Sequence, residues 1–405
     1  MATPFSQNAG QAIPELAQQQ RTFLMVGAAG AVLSAIGYFT NSTQFFESYL
    51  MAYFLVLGFS LGSLGLMMIH QLSGGAWGVI IRQQLGAATR VLPIVTVLFL
   101  PIVFGMHNLY EWTHEDIVAA DPILKAKAVW LNQSFFIVRA VIYFVVWNGL
   151  AFILNKWSLD QERTGDPAIA VRMQRVSAGG LLLMAGTVTF AAFDWLMSLE
   201  PHWFSTIYGM LVGGGMLLGS MALQIITLVW LSRRKPLSDA VGSQHFHDLA
   251  NLMLAFVVLW AYFSFSQYLL IWSGNLPEEI QWYMHRTFTS WRGIAMALVL
   301  FHFIVPFSLL LSRVIKREPT SIIKVCVAII VARLIDLFWL TAPEFHKDGF
   351  SISWMDIVLP LALIGIWGGF FLGQLRTRAL LPVHDSQFEE ALALGPIHGE
   401  AKAAH

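Results

Sequence analysis

The sequence predicts an all-α integral membrane protein. It has ten transmembrane helices, set as two parallel-repeat four-helix bundles with one flanking helix at each end. Three observations lead there. The 405 residues are 57% hydrophobic and only 12% charged, about half the charge of an ordinary soluble domain. The apolar residues fall in runs of about 20, the length a helix needs to cross a hydrocarbon core. The runs also repeat, the second through fifth resembling the sixth through ninth in order.

Composition excludes several classes of function. The formal net charge is zero, so no nucleic-acid partner is implied. The single cysteine, Cys326, rules out an internal disulfide, a Cys-ligated zinc site and a self-contained iron–sulfur cluster. Residues 1–20 lack a basic n-region and a clear cleavage site, so the first apolar run reads as an uncleaved anchor.

Taken in order, the first run is Thr22–Phe39. The polar segment Pro4–Gln20 before it is expected along the membrane surface or a partner. The second run, Phe46–Ile69, carries Gly58, Gly62 and Gly65, small residues that let helices approach closely. The third, Val91–Met106, is short. Gly105, His107 and Asn108 beyond it imply a helix that runs on with polar groups turned to protein. Leu131–Leu154 and Gln174–Met197 follow, then a break at Ser198–Ser205 around Glu200-Pro201. The second half holds Thr206–Leu231, Leu249–Trp272, Phe288–Ser312, Ser321–Thr341 and Ile352–Gly373. Pro306 and Pro101 cannot donate to the carbonyls four residues earlier, so kinks are expected at His302 and Val97. The tail from Leu375 is polar and expected to be loosely ordered. The resulting units are residues 1–45, a tail and flanking helix; 46–205 and 206–342, the two bundles; and 343–405, the last flanking helix and tail.

The repeat rests on four matches in one order. Tyr49 and Leu61-Gly62-Ser63 match Tyr208 and Leu218-Gly219-Ser220. His107 stands five residues before Trp112, and Gln267 five before Trp272. Phe135 precedes Arg139 by four, as Phe288 precedes Arg292. Asp194 is followed by Glu200-Pro201, and Asp336 by Pro343-Glu344. Four crossings return the chain to the same side, so the repeats are parallel. Lys and Arg concentrate on one side, at Arg82, Arg90, Lys156, Arg163, Arg233, Arg234, Lys316 and Arg376 among others. The other side has only Lys125, Lys127, Arg286 and Lys347. The first side is therefore expected to be cytoplasmic and to hold both termini, with the 198–205 break facing out.

Ionisable groups at membrane depth are costly and mark function by default. In the first bundle His107, Arg139, Asp194 and Glu200 fall in the outer half. Thr187 shares a helical face with Asp194, seven residues on. Arg139 and Asp194 are the expected pair. Two readings stand: an ion pair that fixes helix register, or a proton-carrying or quinol-contacting site with His107 exchanging protons near neutral pH. The second-bundle set is Gln267, His285, Arg292, His302, Arg333 and Asp336. Arg333 and Asp336, three apart, can neutralise each other on one helix face. His302, beside the Pro306 kink, is either a packed core histidine or a proton relay. No two histidines lie at matched depth on facing helices, as a b-haem would need, and no metal site is indicated. His245-Phe-His247-Asp248 reads as a helix-start cluster. Trp112, Trp130, Trp157, Trp203, Trp272, Trp282, Trp291 and Trp354 read as interface anchors.

The four-plus-four repeat with two flanking helices resembles the NrfD/polysulfide reductase membrane-subunit family. Within it, the stretch from Phe193 to Gly209 (FDWLMSLEPHWFSTIYG) and His107-Asn-Leu-Tyr-Glu-Trp112 look like ActF-type subunits of alternative complex III, a bacterial quinol:electron-acceptor oxidoreductase. The resemblance runs from the first span to the tenth. It implies the bacterial cytoplasmic membrane and several partners: an iron–sulfur subunit, c-type haem subunits and a paralogous NrfD-like membrane subunit holding the main quinol site. It implies no cofactor bound by this chain itself, with haem c and iron–sulfur clusters in the partners. It leaves this chain quinol contact or a proton path across the membrane. Two other readings fit the residues: a proton- or ion-coupled secondary transporter, and a structural scaffold whose buried charges only fix packing.

Overall fold

Lipid offers no hydrogen-bond partners to a backbone, so apolar runs of this length fold as helices. The structure, a computed structural model, describes residues 13–396, and every regular element among them is helical. Nine helices among the described residues are long and apolar enough to cross a membrane. They are α1 (Pro14–Thr40), α2 (Ser42–Ser73), α3 (Ala76–Phe104), α4 (Gln133–Thr164), α5 (Pro167–Trp195), α6 (Tyr208–Leu231), α7 (Ser243–Gly274), α9 (Arg292–Leu311) and α11 (Met355–Leu375). Between them lie the short α8 (Pro277–Thr287) and α10 (Pro319–Phe345). The ninth expected span falls within α10, which carries Lys324, Arg333, Asp336 and Glu344 and is not one of the nine. The segment Pro4–Gln20 lies partly outside the described residues; from Pro14 it is already the first turns of α1.

Local chemistry sets the helix ends. Asn41, Asn132 and Asp166 each accept a backbone N–H of the following first turn, at α2, α4 and α5, the usual work of an N-cap side chain. Pro167 and Pro319 stand at the start of α5 and α10, where a missing N–H costs nothing. Gly165 ends α4 with φ 66°, a left-handed conformation that only glycine takes without strain.

Two helices depart from the sequence reading. α3 begins at Ala76, not Val91, because Arg82, Gln83, Gln84 and Thr89 are buried against protein and do not end it. It breaks into Ala76–Thr89, Leu92–Val97 and Leu100–Phe104, with Pro93 and Pro101 entering the two later turns. In α9 the expected disruption before Pro306 takes the form of a π-helical turn over Val299–Ile304, where the Val305 N–H reaches back to Leu300 O.

α2 is the central element, touching α1, α3, α5, α6, α10 and α11. Its contact with α6 needs glycine: a Cβ on Gly62 would lie 2.2 Å from Met216 O. One residue on, Ser63 Oγ meets Ser220 Oγ at 2.8 Å, and Gln224 Nε2 donates to Ser63 Oγ at 3.0 Å. Gly62-Ser63 of α2 and Gly219-Ser220 of α6 thus face each other. α1 lies along α11, where Gly27 packs on Gly365 and Gly30 on Ala362.

Residues 376–396, the described part of the segment after α11, are not a loose tail; the expected tail beyond them lies outside the described residues. Leu380, Leu381, Phe388, Ala391 and Leu392 are buried. Arg82 forms an ion pair with Asp385, Gln387 Oε1 accepts from Gly75 N at 3.1 Å, and Ala391 O meets His245 Nε2 at 3.0 Å. Interleaved apolar residues give this polar stretch a face to bury, and the helix ends give its charges partners.

Candidate functional site

The sequence candidates separate into three places. The first is centred on Asp194, near the end of α5 and fully buried. Arg139, facing it from α4, donates twice: Nε to Oδ2 at 2.7 Å and Nη2 to Oδ1 at 2.9 Å. Tyr143 OH donates to Oδ2 at 2.7 Å and Trp130 Nε1 to Oδ1 at 2.9 Å. A carboxylate has about four acceptor positions, and all four are taken. The guanidinium also donates to Trp130 O at 2.9 Å and sits 4.3 Å and 4.4 Å from the Trp130 and Phe135 ring centres, a cation–π arrangement. Asp194 is thus a saturated anion. It has no lone pair left for a quinol hydroxyl, and losing its charge would strand Arg139.

Two residues expected beside Asp194 are elsewhere. His107 is exposed, its ring 3.8 Å from that of His114, whose Nε2 meets His107 O at 2.9 Å. The Met106–Leu109 turn carries it to the surface, because the α3 breaks bring the chain out before that depth is reached. Thr187 is buried but serves Trp147, whose Nε1 donates to its Oγ1 at 2.9 Å, while it donates to Leu183 O at 2.9 Å. It does not extend a polar stripe from Asp194.

The second place lies within the other half. Arg333 and Asp336 form the expected ion pair on α10. Trp260 Nε1 donates to Asp336 Oδ2 at 3.1 Å, as Trp130 does to Asp194. Arg333 lies flat on Gly215, where a Cβ would be 2.3 Å from its Cζ. His302 is fully buried in the π-helical turn, its ring 4.0 Å from Trp260, and neither nitrogen has a partner among the described residues. Arg292 is exposed and pairs with nothing among the described residues. The arginine that enters this half is Arg286, six residues earlier, which in sequence reads as a loop charge.

Arg286 builds the third place, at the junction of the two halves. It is fully buried, 3.6 Å above the Trp282 ring. Its Nη2 donates to Glu344 Oε1 at 2.6 Å and its Nη1 to Trp282 O at 3.1 Å. Trp203 stacks on Trp282 at 4.8 Å, and Trp339 meets Trp282 edge-on at 5.1 Å. The loop around Glu200 is clamped against this box. Lys127 Nζ donates to Pro201 O at 2.6 Å, His202 bonds Asp121, and Ser205 Oγ donates to Gln267 Oε1 at 3.0 Å. Gln267 in turn reaches Tyr283 OH at 3.4 Å. The His202 bond, joined by the Ile123 and Leu124 backbone N–H groups, lowers Asp121 below its ordinary value. Of the tryptophans expected as interface anchors, Trp272 and Trp354 are exposed, whereas Trp112, Trp203, Trp282 and Trp291 are buried in the protein. Trp130 is also exposed, but its N–H donates to Asp194.

Within the clamp the Glu200 carboxyl meets the Glu344 carboxyl side chain to side chain. These glutamates follow Asp194 by six residues and Asp336 by eight. Burial pushes Glu200 up to about 8, the Glu344 charge adds to the shift, and Arg286 opposes it. Two half-buried carboxylates in contact repel each other strongly and disfavour double ionisation. Glu200 Oε2 is buried without a donor, and one proton on the pair supplies it. His285, half-buried nearby, is held below its ordinary value by burial, against the pull of Glu344. The site therefore sets two carboxyl groups, able to share one proton, next to the buried Arg286 guanidinium.

An apolar cleft of about 200 Å³ lies between α2, α5, α6 and α7, lined by residues such as Gly65, Met184, Gly213 and Phe263. It has no ionisable side chain in its lining, and head-group recognition needs a few placed polar groups. No group of three or more His, Cys, Asp or Glu among the described residues could hold a metal ion.

Trp130, Tyr143, Arg286 and Glu344 are among the residues of these sites that are not site candidates in the sequence reading. Glu344 left a signal, aligned with Glu200 in the repeat expected from the sequence. The chain matches no protein-family model and no curated protein.

Proposed function

We propose that this chain is an integral membrane subunit of a quinol:electron-acceptor oxidoreductase of the alternative complex III type, and that it handles protons. The repeat supports the architecture in this reading: ten spans, with α10 as the ninth, and two four-helix bundles meeting at α2 and α6. The long motif from Phe193 to Gly209 supports the family. The loop charges support an outward position for Glu200, with both termini in the cytoplasm. In this reading haem c and iron–sulfur clusters belong to partner subunits, and quinol to the paralogous membrane subunit.

The observation that carries the proton role is the Glu200–Glu344 pair beside Arg286. A pair with one proton, poised near neutral pH by burial and by its own repulsion, can accept and release that proton as a general acid or base does. Glu200 is on the loop that joins the halves, so a shift of one half against the other would change the contact and the proton affinity. The test is Glu200→Gln in the assembled complex. Proton release per electron is expected to fall while subunit composition and haem content stay unchanged. Unaltered proton stoichiometry in an intact complex would refute the role.

The Asp194 cluster favours a different reading for itself. Its saturated geometry supports a register-fixing anion, the scaffold role, so the proton path in this proposal bypasses it.

A further inference from the structure

Roughly 24 Å along α4 from Arg139, at the opposite end of the molecule from Glu200, a cavity of about 430 Å³ opens between α3, α4 and the segment after α11. Its lining includes Arg90, Asn155, Lys156 and Arg378 together with Pro93 and Phe152. Arg90 Nε donates to Gln374 Oε1 at 3.0 Å, Nη1 to Asn155 Oδ1 at 3.0 Å and Nη2 to Gln374 O at 2.8 Å. Arg378 Nη1 donates to Asn155 O at 3.0 Å. Every one of these acceptors is neutral. Lys156 is exposed. Neither it nor either arginine forms an ion pair among the described residues.

The neighbouring charges leave the cavity positive. Arg82 is neutralised by Asp385. Glu162 acts on Arg378 from outside the lining, where it accepts from Gln83 at 3.3 Å, and Arg163 and Arg82 act against it. The floor changes character toward the side of α4. Phe152 is 68% exposed there, on the apolar surface that a bilayer would cover. Two arginines whose hydrogen-bond acceptors are all neutral and an exposed lysine without an ion pair among the described residues, above an open apolar strip, match an amphiphile with a phosphate head and a hydrocarbon chain. Basic pockets between helices at this level take such head groups, and Arg–phosphate bonds are charge-assisted and strong.

We propose that this cavity binds the phosphate head of an anionic phospholipid between Arg90, Lys156 and Arg378, with an acyl chain along Phe152 and Pro93. A free phosphate would offer the same charge without the chain, so the test separates the two. Detergent-purified protein is incubated with phosphatidylglycerol, phosphatidylcholine or inorganic phosphate, and bound species are counted by native mass spectrometry. Phosphatidylglycerol is expected to bind at least tenfold more tightly than phosphatidylcholine and to resist millimolar phosphate. Lys156→Gln and Arg378→Gln should each weaken it about fivefold. Lys156 is exposed and unpaired, so its replacement leaves the fold intact and keeps the test decisive. Equal binding of the two lipids, or no loss in Lys156→Gln, would overturn the proposal. Displacement by phosphate, with no dependence on acyl-chain length, would also overturn it and assign a small-anion site.

Discussion

Two carboxyl groups of this chain, the buried Asp194 and the half-buried Glu200, have opposite characters for reasons visible at single atoms. Asp194 receives four hydrogen bonds from charged or strongly polar donors. Glu200 receives a second carboxyl and has an oxygen with no donor. The first is locked as an anion; the second is built to hold a proton. Asp194→Asn should therefore act through stability. It removes the charge facing Arg139 and turns an amide N–H₂ toward donors, and breaking a buried pair in this way costs about 3–5 kcal/mol. A clear drop in thermal midpoint is expected in detergent; an unchanged midpoint would contradict the locked-anion reading. For Glu200 the sign follows from linkage. Its value is raised from 4.5 to about 8, so the folded protein binds this proton more tightly than the unfolded chain. The associated stability is fully present below about pH 4.5 and is lost as pH rises through about 8. Glu200→Gln cannot titrate and should flatten that decline. Thermal midpoints across pH 5 to 9 for both proteins would check it.

At the scale of helices, close approach decides which elements can pair. α2 and α6 cross with Gly62 against the Met216 carbonyl. An added methyl there meets backbone, which cannot swing away as a side chain can. Gly62→Ala should cost about 1–3 kcal/mol through overpacking. Gly149→Ala, with nothing within 4 Å of the added carbon, should not destabilise. Comparing the two by thermal denaturation separates crowding from the general effect of a methyl in a helix. The π-helical turn of α9 belongs to this scale as well. Pro306 removes one donor from the ladder, the turn widens over Val299–Ile304, and His302 is held inside against Trp260. A kink was legible from Pro306; the widening depended on what packs against it.

At the scale of the whole molecule, charged groups close both ends of the bundle. At one end the Glu200 loop is clamped by Asp121 and Lys127. At the other, the segment after α11 folds under α3 and α4 through Arg82 and Asp385. Asp385→Asn should lower the thermal midpoint markedly, because Arg82 is 4% exposed and would be left with Ser158 and Gln161 alone. Limited proteolysis should then cut within residues 376–396, where the native protein buries Leu380, Leu381, Phe388, Ala391 and Leu392. Resistance equal to the native protein would show that the pair contributes little to docking.

The helical class, the membrane character and most helix positions follow from the sequence because they depend on local quantities: run length, apolar content and capping residues. The Arg139–Asp194 and Arg333–Asp336 pairs are legible too, since a charge in an apolar run has few places to go. Pairing across loops is another matter. Arg286 and Glu344 are 58 residues apart, and nothing local distinguishes Arg286, which is buried, from Arg292, which is exposed. His107 and Thr187 share depth or face with Asp194 but not contact, because helix breaks and tryptophan side chains decide contact. The sequence by itself determined the helices and the charges that had to be neutralised. Only the tertiary structure decided which of those charges is saturated, at Asp194, and which carboxyl is left to share a proton, at Glu200. That choice rests on how many donors the surrounding helices bring within hydrogen-bond reach.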